Sequence, residues 1–417
     1  MTPAAPQRKA NTTKQIHNLT HTNVKAFKRK IDKLKPHFEK GGRFQKLHSV
    51  FDGFYTFLYT PNETSGSGVH IHDSNDSKRT MSIVVLALLP CCLFGMYNIG
   101  YQHVLATGEG AGTLWSNFFY GLLQVLPQIV VVYVVGLGIE FISAQIRGHE
   151  IQEGFLVSGL LIPMICPVDT PLWMLAVAVA FSVIFAKEIF GGTGYNIFNV
   201  ALVTRAFLFF AYPLKMSGDQ VFVSLGSAAP VDGFTGATPL GQLASATTEG
   251  GVQLTDVVGQ PLDWWQAFLG LIPGSWGETS TLCICIGAVI LLFTGMGSWR
   301  IMISGFLGAF LMGLLAHAYA SPLYPVTMIP AIQQFCYGGL AFAIVFMATD
   351  PVTACRTNKG KYIYGFLIGV IAVLIRCYNT GYPEGAMLAV LLMNCFASLI
   401  DWCVVRSNIK RRLKRAA

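Results

Sequence analysis

The sequence predicts an all-α polytopic membrane protein. About ten transmembrane helices form two inverted five-helix repeats behind a basic cytoplasmic N-terminal arm. Three observations predict it. The 417-residue chain is 53% hydrophobic and only 12% charged, against about 25% charged in soluble chains. Apolar runs of spanning length recur from about residue 81 onward. The basic residues gather at the ends: 14 of the 29 Lys and Arg lie in residues 1–80, and six more lie in the tail "RSNIKRRLKRAA".

Residues 1–80 are polar and basic, so they are not a secretory signal peptide, which opens with a short apolar core. Basic ends beside membrane helices read as cytoplasmic anchors on anionic lipid, not as a nucleic-acid surface. The stretch "NVKAFKRKIDKLKPHFEKGGRFQKLHSVFDGFYTFLYTP" mixes Lys and Arg with Phe, Leu and Val. It fits a helix lying on the inner membrane surface. His70, His72 and Asp73 read as solvated linker residues, and no metal site is expected.

Hydrophobic spans fall at 83–99, 118–141, 155–165, 172–190, 197–212, 281–295, 301–319, 335–347, 362–378 and 386–405. An even number puts both basic ends on one side. With that side inside, Arg147, Lys187, Arg205, Arg300, Arg356, Lys359 and Lys361 fall at or near inner ends. Only Lys215 and Arg376 fall toward the outside. The loop 215–278 lies outside and carries Asp219, Asp232, Glu249, Asp256, Asp263 and Glu278. Within it "DWWQAFLGLIPG" (263–274) is too short to span and reads as interfacial. The chain therefore divides into the arm 1–80, a membrane repeat 81–214, the outer loop 215–278, a second repeat 279–405 and the tail 406–417.

Matched motifs carry the repeat. "TGY" precedes the fifth span at Thr193 and the tenth at Thr380. The short third span ends in "CPVDTP" around Asp169, and the short eighth in "ATDPVT" around Asp350. Five spans per unit give the two units opposite topology. Short, proline-interrupted helices in matched positions point to a binding site at the repeat interface. The ten cysteines lie mostly in apolar runs and include no CxxC pair. They read as small buried hydrophobes, which argues against an iron–sulfur site made by this chain alone.

Charges inside spans are costly and mark function by default. Lys187, Glu188 and Arg205 read as ends reaching for the interface. Glu140 lies deeper. With Asp401 in the last span, it offers carboxylate oxygens suited to a hard cation or a proton path. Gly136 and Gly138 beside Glu140 permit close approach of a helix or a flat ligand. In "GGTGYNIFN", Asn196 and Asn199 stand one helical turn apart. They suit either the edge of a heteroaromatic ligand or a helix cap.

The outer loop holds the strip "VDGFTGATPLGQL", residues 231–243. Asp232 and Gly233 start a turn. The small neighbours Gly236 and Ala237 leave the Thr238 hydroxyl unshielded. A threonine without a base is a poor nucleophile, so modification by a separate enzyme is the sensible use of such a strip.

"DGFTGAT" resembles the covalent flavinylation motif Asp-Gly-x-(Ser/Thr)-Gly-Ala-Thr. With "IRGHEIQEGFLVSGLLIP", "AKEIFGGTGYNIFNVALVTRAFLFFAYP", "GSWGETSTL" and "ATDPVTACRTNKG", the chain resembles the family of B subunits of sodium-translocating NADH:quinone oxidoreductases. Val200 departs from that family, where proline is expected. The resemblance implies FMN on Thr238 through a phosphoester, with Asp232, Gly233, Thr235, Gly236 and Ala237 as the tag read by a flavin transferase. It implies noncovalent riboflavin near Asn196, Asn199 and Asp350, and a quinone pocket bordered by Gly136 and Gly138. It implies a sodium path through Glu140 and Asp401. It also implies a bacterial inner-membrane location, five partner subunits (A, C, D, E and F), and ubiquinone and sodium as substrates. Two rivals stand beside it: the D subunit of the Rnf ferredoxin-dependent complex, which shares the threonine motif, and an inverted-repeat channel or transporter.

Overall fold

The computed structural model describes residues 31–38, 51, 55, 77–108, 112–147, 154–216, 221–226, 228–246, 253–379, 381 and 385–416. Most of the basic arm, including His70, His72 and Asp73, lies outside the described residues. So do Thr380 and Tyr382 of the second TGY. The chain forms two compact units, Met1–Asp73 with Phe141–Gln152, and Ser74–Glu140 with Glu153–Ala417. In the first, a single helical turn, Lys35–Phe38, stacks Phe38 on Phe51 with ring centroids 4.5 Å apart. Tyr55 donates to Asp32 at 2.9 Å.

The larger unit carries the membrane helices, apart from the last turns of the second, and each predicted span contains helix. They are α1 (Ser77–Thr107), α2 (Leu114–Arg147), α3 (Phe155–Met164), α4 (Leu172–Ser182) and α5 (Val200–Ala211). Within the long loop lie α6 (Pro239–Ser245) and α7 (Trp264–Leu269), and after it come α8 (Thr281–Phe293), α9 (Trp299–Ala318), α10 (Leu340–Phe342), α11 (Asn358–Tyr378) and α12 (Ala386–Ala416). Among the described residues there is no named strand, only two isolated bridges. Among the described residues, five helices are long and apolar enough to cross a membrane: α1, α2, α9, α11 and α12. The segment 263–274 holds the short α7 between a capping box at Asp263 and a left-handed Gly270.

Large apolar side chains such as Leu123, Val134, Ile303 and Leu399 stand exposed on these helices. That is how a helix faces lipid or a neighbouring membrane helix. Between helices, small residues do the packing. A methyl placed on Gly369 in α11 would lie 2.1 Å from the Gly305 carbonyl oxygen of α9, and one on Gly121 in α2 would lie 1.8 Å from that of Met96 in α1. Backbones meet directly at these crossings, as in small-residue membrane contacts.

The short helices pose the harder problem. α3 has ten residues, about 15 Å, half a bilayer core. Its end must satisfy its carbonyls without water. It does so through distant partners. Gly277 N–H donates to the Met164 carbonyl at 2.9 Å, and Ser275 Oγ to that of Ile165 at 3.1 Å. Gln128 of α2 donates to the carbonyls of Pro167 and Val168 at 3.1 and 2.6 Å. The fourth and eighth spans end differently. α4 continues as a π-helical turn, Val183–Glu188, and α10 as another, Ala343–Met347. Wide turns of this kind gather at functional sites, and both lead into the same cleft.

Candidate functional site

The cleft is assembled from segments far apart in sequence. α1 contributes Thr80, Met81 and Val84. Gly154, with Val157, Ser158 and Leu161 of α3, forms a second wall. The first π turn delivers Lys187, and the chain after it delivers Thr193, Asn196, Asn199 and Val200. Leu291, Met296, Gly297 and Phe346 come from the second half, with Thr349, Asp350, Pro351 and Val352. The cleft has a cavity volume of about 100 Å³, small beside the roughly 300–1,000 Å³ of most small-molecule sites. Its lining mixes apolar side chains with two amides, hydroxyls, an ammonium and a carboxyl.

The polar groups are held by the backbone. Asn199 is the N-cap of α5. Its Oδ1 accepts from Ala201 and Leu202 N–H at 3.0 and 3.3 Å, and its Nδ2 donates to Asp350 Oδ2 at 3.3 Å. One side chain therefore starts a helix in the first half and holds a carboxylate of the second. Asp350 also accepts from Val352 N–H and Thr353 Oγ1, at 3.0 and 3.2 Å. Burial pushes the Asp350 carboxyl above the usual carboxylate range, against these three bonds, which pull it down. Asn196 Nδ2 donates to the Phe198 carbonyl at 3.0 Å, which leaves its Oδ1 as an acceptor. Asn196 and Asn199 lie in a non-helical turn before α5, not on one helical face. Of the two predicted uses, capping is seen at Asn199, which also lines the cleft.

Lys187 and Arg205 do not reach for an interface. Lys187 is 4% exposed and Arg205 1%. The Lys187 ammonium meets the Glu140 carboxylate of α2 in a buried ion pair and lies 5.8 Å from the centroid of the Phe155 ring. Arg205 donates to Ser275 Oγ at 3.0 Å. The cause is desolvation: a buried cation stays only where a partner waits. Glu140 and Lys187 stand in the second and fourth apolar runs, a spacing that does not by itself announce the pair. Gly136 and Gly138, neighbours in the sequence, diverge. A methyl on Gly136 would lie 1.9 Å from Phe155 Cζ, whereas one on Gly138 meets nothing within 4 Å.

Asp401 accepts from Arg356 and Thr357 N–H at 2.7 and 3.1 Å and from Thr357 Oγ1 at 2.5 Å. It ties α12 to the start of α11. Thr238 lies apart from the cleft residues, as the N-cap of α6, and its Oγ1 accepts from Gly241 N–H at 3.1 Å. It is half-buried, and Gly236 and Ala237 are buried rather than leaving it unshielded. The strip is packed because Thr235 N–H donates to the Val257 carbonyl at 3.0 Å. Val231 N–H donates to that of Ala106 at 2.9 Å. Gln242 exchanges bonds with the Thr255 backbone at 2.9 and 3.0 Å. Phe234 covers a small apolar core of Ala106, Val223 and Val257. Asp232 and Gly233 remain exposed, and Gly233 takes a left-handed φ of 83° at the turn.

Residues 64–410 match the model of the NQR2, RnfD, RnfE family. The chain belongs to this family. It is 45% identical to the B subunit of the Na(+)-translocating NADH-quinone reductase of Chromohalobacter salexigens, over 93% of this chain and 96% of that one. It is 44% identical to the same subunit of Ectopseudomonas mendocina, covering 94% and 99%. With that of Klebsiella pneumoniae it shares 43% identity, covering 92% and 98%. Val200, the departure noted in the sequence, occupies the first position of α5, where proline is favoured in helices generally.

Proposed function

We propose that this chain is the flavin-carrying membrane subunit of a sodium-pumping NADH:quinone oxidoreductase. Electrons from a partner subunit would pass through FMN on Thr238 and noncovalent riboflavin to ubiquinone, coupled to sodium export. The other five subunits and a flavin transferase are its partners. Its ten spans form two inverted repeats in the bacterial inner membrane, with both termini cytoplasmic and the Thr238 strip outside. The observation that carries this reading is the convergence of Asn196, Asn199 and Asp350, drawn from both halves of the chain, on one cleft.

The residues that line the cleft have the chemistry of a flavin site. A flat apolar ring system needs an apolar wall, and its polar edge needs donors and acceptors in one plane. Asn196 Oδ1 offers an acceptor, and Asp350 offers a carboxyl held in place by Asn199, Val352 and Thr353. Asn199 fixes the position of Asp350. The flavin supplies one- and two-electron chemistry; the protein supplies position and electrostatics. At the strip, the bond to Thr238 Oγ1 among the described residues uses an oxygen lone pair. The O–H that an ester would replace carries no such duty. Asp232 and Gly233 present the turn that a transferase would grip. Glu140 and Asp401 are the carboxylates we assign to the sodium path, and Gly138 borders open space suited to a flat quinone head.

The test is a denaturing gel of the purified chain, co-expressed with its flavin transferase, under ultraviolet light. A fluorescent band is expected, and Thr238→Ala should abolish it completely. A dark wild-type band sinks the covalent-flavin reading and revives the transporter. Turnover with NADH and quinone, rather than ferredoxin and NAD, separates this reading from the Rnf D subunit.

A further inference from the structure

α12 is a single helix of 31 residues, Ala386–Ala416. It is about 46 Å long at the usual helical rise, against a hydrocarbon core of about 30 Å. Its packed part ends early, for its last buried residue is Ala397. Asp401 then ties it to the Arg356 and Thr357 N–H groups just before α11. From Trp402 to Ala416 no side chain is buried. This extension is not polar all round. Trp402, Val405, Ile409 and Leu413 are 46–64% exposed, and they fall within about 80° of one another around the helix. Leu392, Phe396 and Leu399 stand exposed in the turns before them, so the apolar stripe continues the lipid-facing side of the span. Cations flank the stripe, with Arg406 and Lys410 on one side and Arg412 on the other. Arg411, Lys414 and Arg415 complete the polar face, and no Asp or Glu follows Asp401. The Arg406 guanidinium lies 4.9 Å from the centroid of the Trp402 ring. At the same end of the bundle, Arg300 lies 4.9 Å from that of Trp299, whose ring meets Tyr362 of α11 edge-on.

We propose that residues 402–416 form a binding surface for anionic phospholipid. The stripe sits at the boundary of the acyl chains, and Arg406, Lys410 and Arg412 meet headgroup phosphates through charge-assisted hydrogen bonds. Each half of the pattern excludes a different alternative. A helix buried in hydrocarbon could not carry six cations. A helix standing in water has no use for the stripe, and one this short is only marginally stable there. An interfacial helix needs both. A protein groove would have to bring acidic groups to both flanks of the stripe, whereas an anionic leaflet does so wherever the helix lies. The rings of Trp402 and Trp299 set the depth, because Trp settles at headgroup level. The surface lies at the end that the charge pattern places inside, facing the leaflet with the negative potential.

The experiment is hydrogen exchange of the segment 402–416 in the assembled complex. The complex is held in nanodiscs of phosphatidylcholine alone or of an equal mixture with phosphatidylglycerol. Wild type is compared with a charge variant, Arg406→Gln with Lys410→Gln and Arg412→Gln, and with a stripe variant, Ile409→Ser with Leu413→Ser. Exchange in α9 and α11 reports whether the bundle itself is intact in each. In wild type the segment should exchange about tenfold more slowly when phosphatidylglycerol is present, and raised salt should shrink the difference. The charge variant should lose this dependence on lipid. The stripe variant should exchange quickly in both lipids. Equal exchange of wild type in the two lipids overturns the inference: slow in both means that a neighbouring subunit covers the segment, and fast in both means that water does. A full lipid response in the charge variant also overturns it. So does a stripe variant as protected as wild type, because charge alone would then hold the tail. The inference does not depend on the flavin reading, and both flavins should stay in place in both variants.

Discussion

The cleft and the strip solve opposite problems. The strip is contiguous: Asp232 to Thr238 is one short run, and its packing partners lie within the same loop or at the end of α1. The cleft is not local at all. Its lining runs from Thr80 to Val352, and Asn199 alone joins a helix start to a carboxylate 151 residues away. A contiguous site can be altered without disturbing the rest of the molecule. A convergent one ties its ligand to the arrangement of both halves.

The largest expected effect tests that contrast. Asn199→Asp keeps a good N-cap but replaces the donor to Asp350 with a second carboxylate. Folding should survive. Extractable riboflavin should fall at least tenfold, because two like carboxyls in one cleft repel. The covalent band at Thr238 should be untouched. In Thr238→Ala the pattern should reverse, with the covalent band gone and riboflavin intact. If either variant removes both flavins, the two sites are one unit and the comparison breaks.

The same contrast explains what the sequence made legible. The strip was readable because a contiguous motif needs no fold, yet its burial was not. Small residues signal access only where nothing packs on them, and Phe234 and Gln242 bring the loop onto itself. The helices were readable from apolar runs. The breaks were not: nothing near Pro167 announces that Gln128 will answer its carbonyl. For the cleft, the resemblance supplied Asn196, Asn199 and Asp350. Lys187 was not legible, because a lone lysine at the end of a span looks like any interfacial lysine until Glu140 is seen beside it. Of the two matched motifs, the one around Asp350 lines the cleft and the one around Asp169 does not.

A middle-sized effect sharpens the role of the glycine pair. Gly136→Ala forces its methyl into Phe155 and should cost about 1–3 kcal/mol, the usual range for overpacking. Because that ring lies against Lys187, riboflavin affinity should fall with stability. Gly138→Ala meets open space and should be neutral, or stabilising by about 0.5–1 kcal/mol through helix propensity. Thermal denaturation with flavin extraction reads both. Equal losses at the two positions would mean that Phe155 does not transmit the change.

The smallest expected effect on stability is at Asp401, and it separates a cap from a path. As a cap, Asp401 accepts two backbone N–H groups and one hydroxyl at the start of α11. Asp401→Asn keeps one acceptor oxygen and loses the charge. Bonds to a charged acceptor contribute roughly 1.5–3 kcal/mol and neutral ones 0.5–1.5, so the loss should be about 1 kcal/mol. A cation on the same carboxylate would feel the missing charge far more, since an amide oxygen is a much weaker ligand than a carboxylate for a hard cation. The sodium concentration giving half-maximal turnover should therefore rise about tenfold, the equivalent of roughly 1.4 kcal/mol of binding, while flavin content stays normal. Unchanged sodium dependence with a slightly lowered melting temperature would leave Asp401 as the tether between α11 and α12. The sodium path would then rest on Glu140, which reaches an ion only by loosening its hold on Lys187.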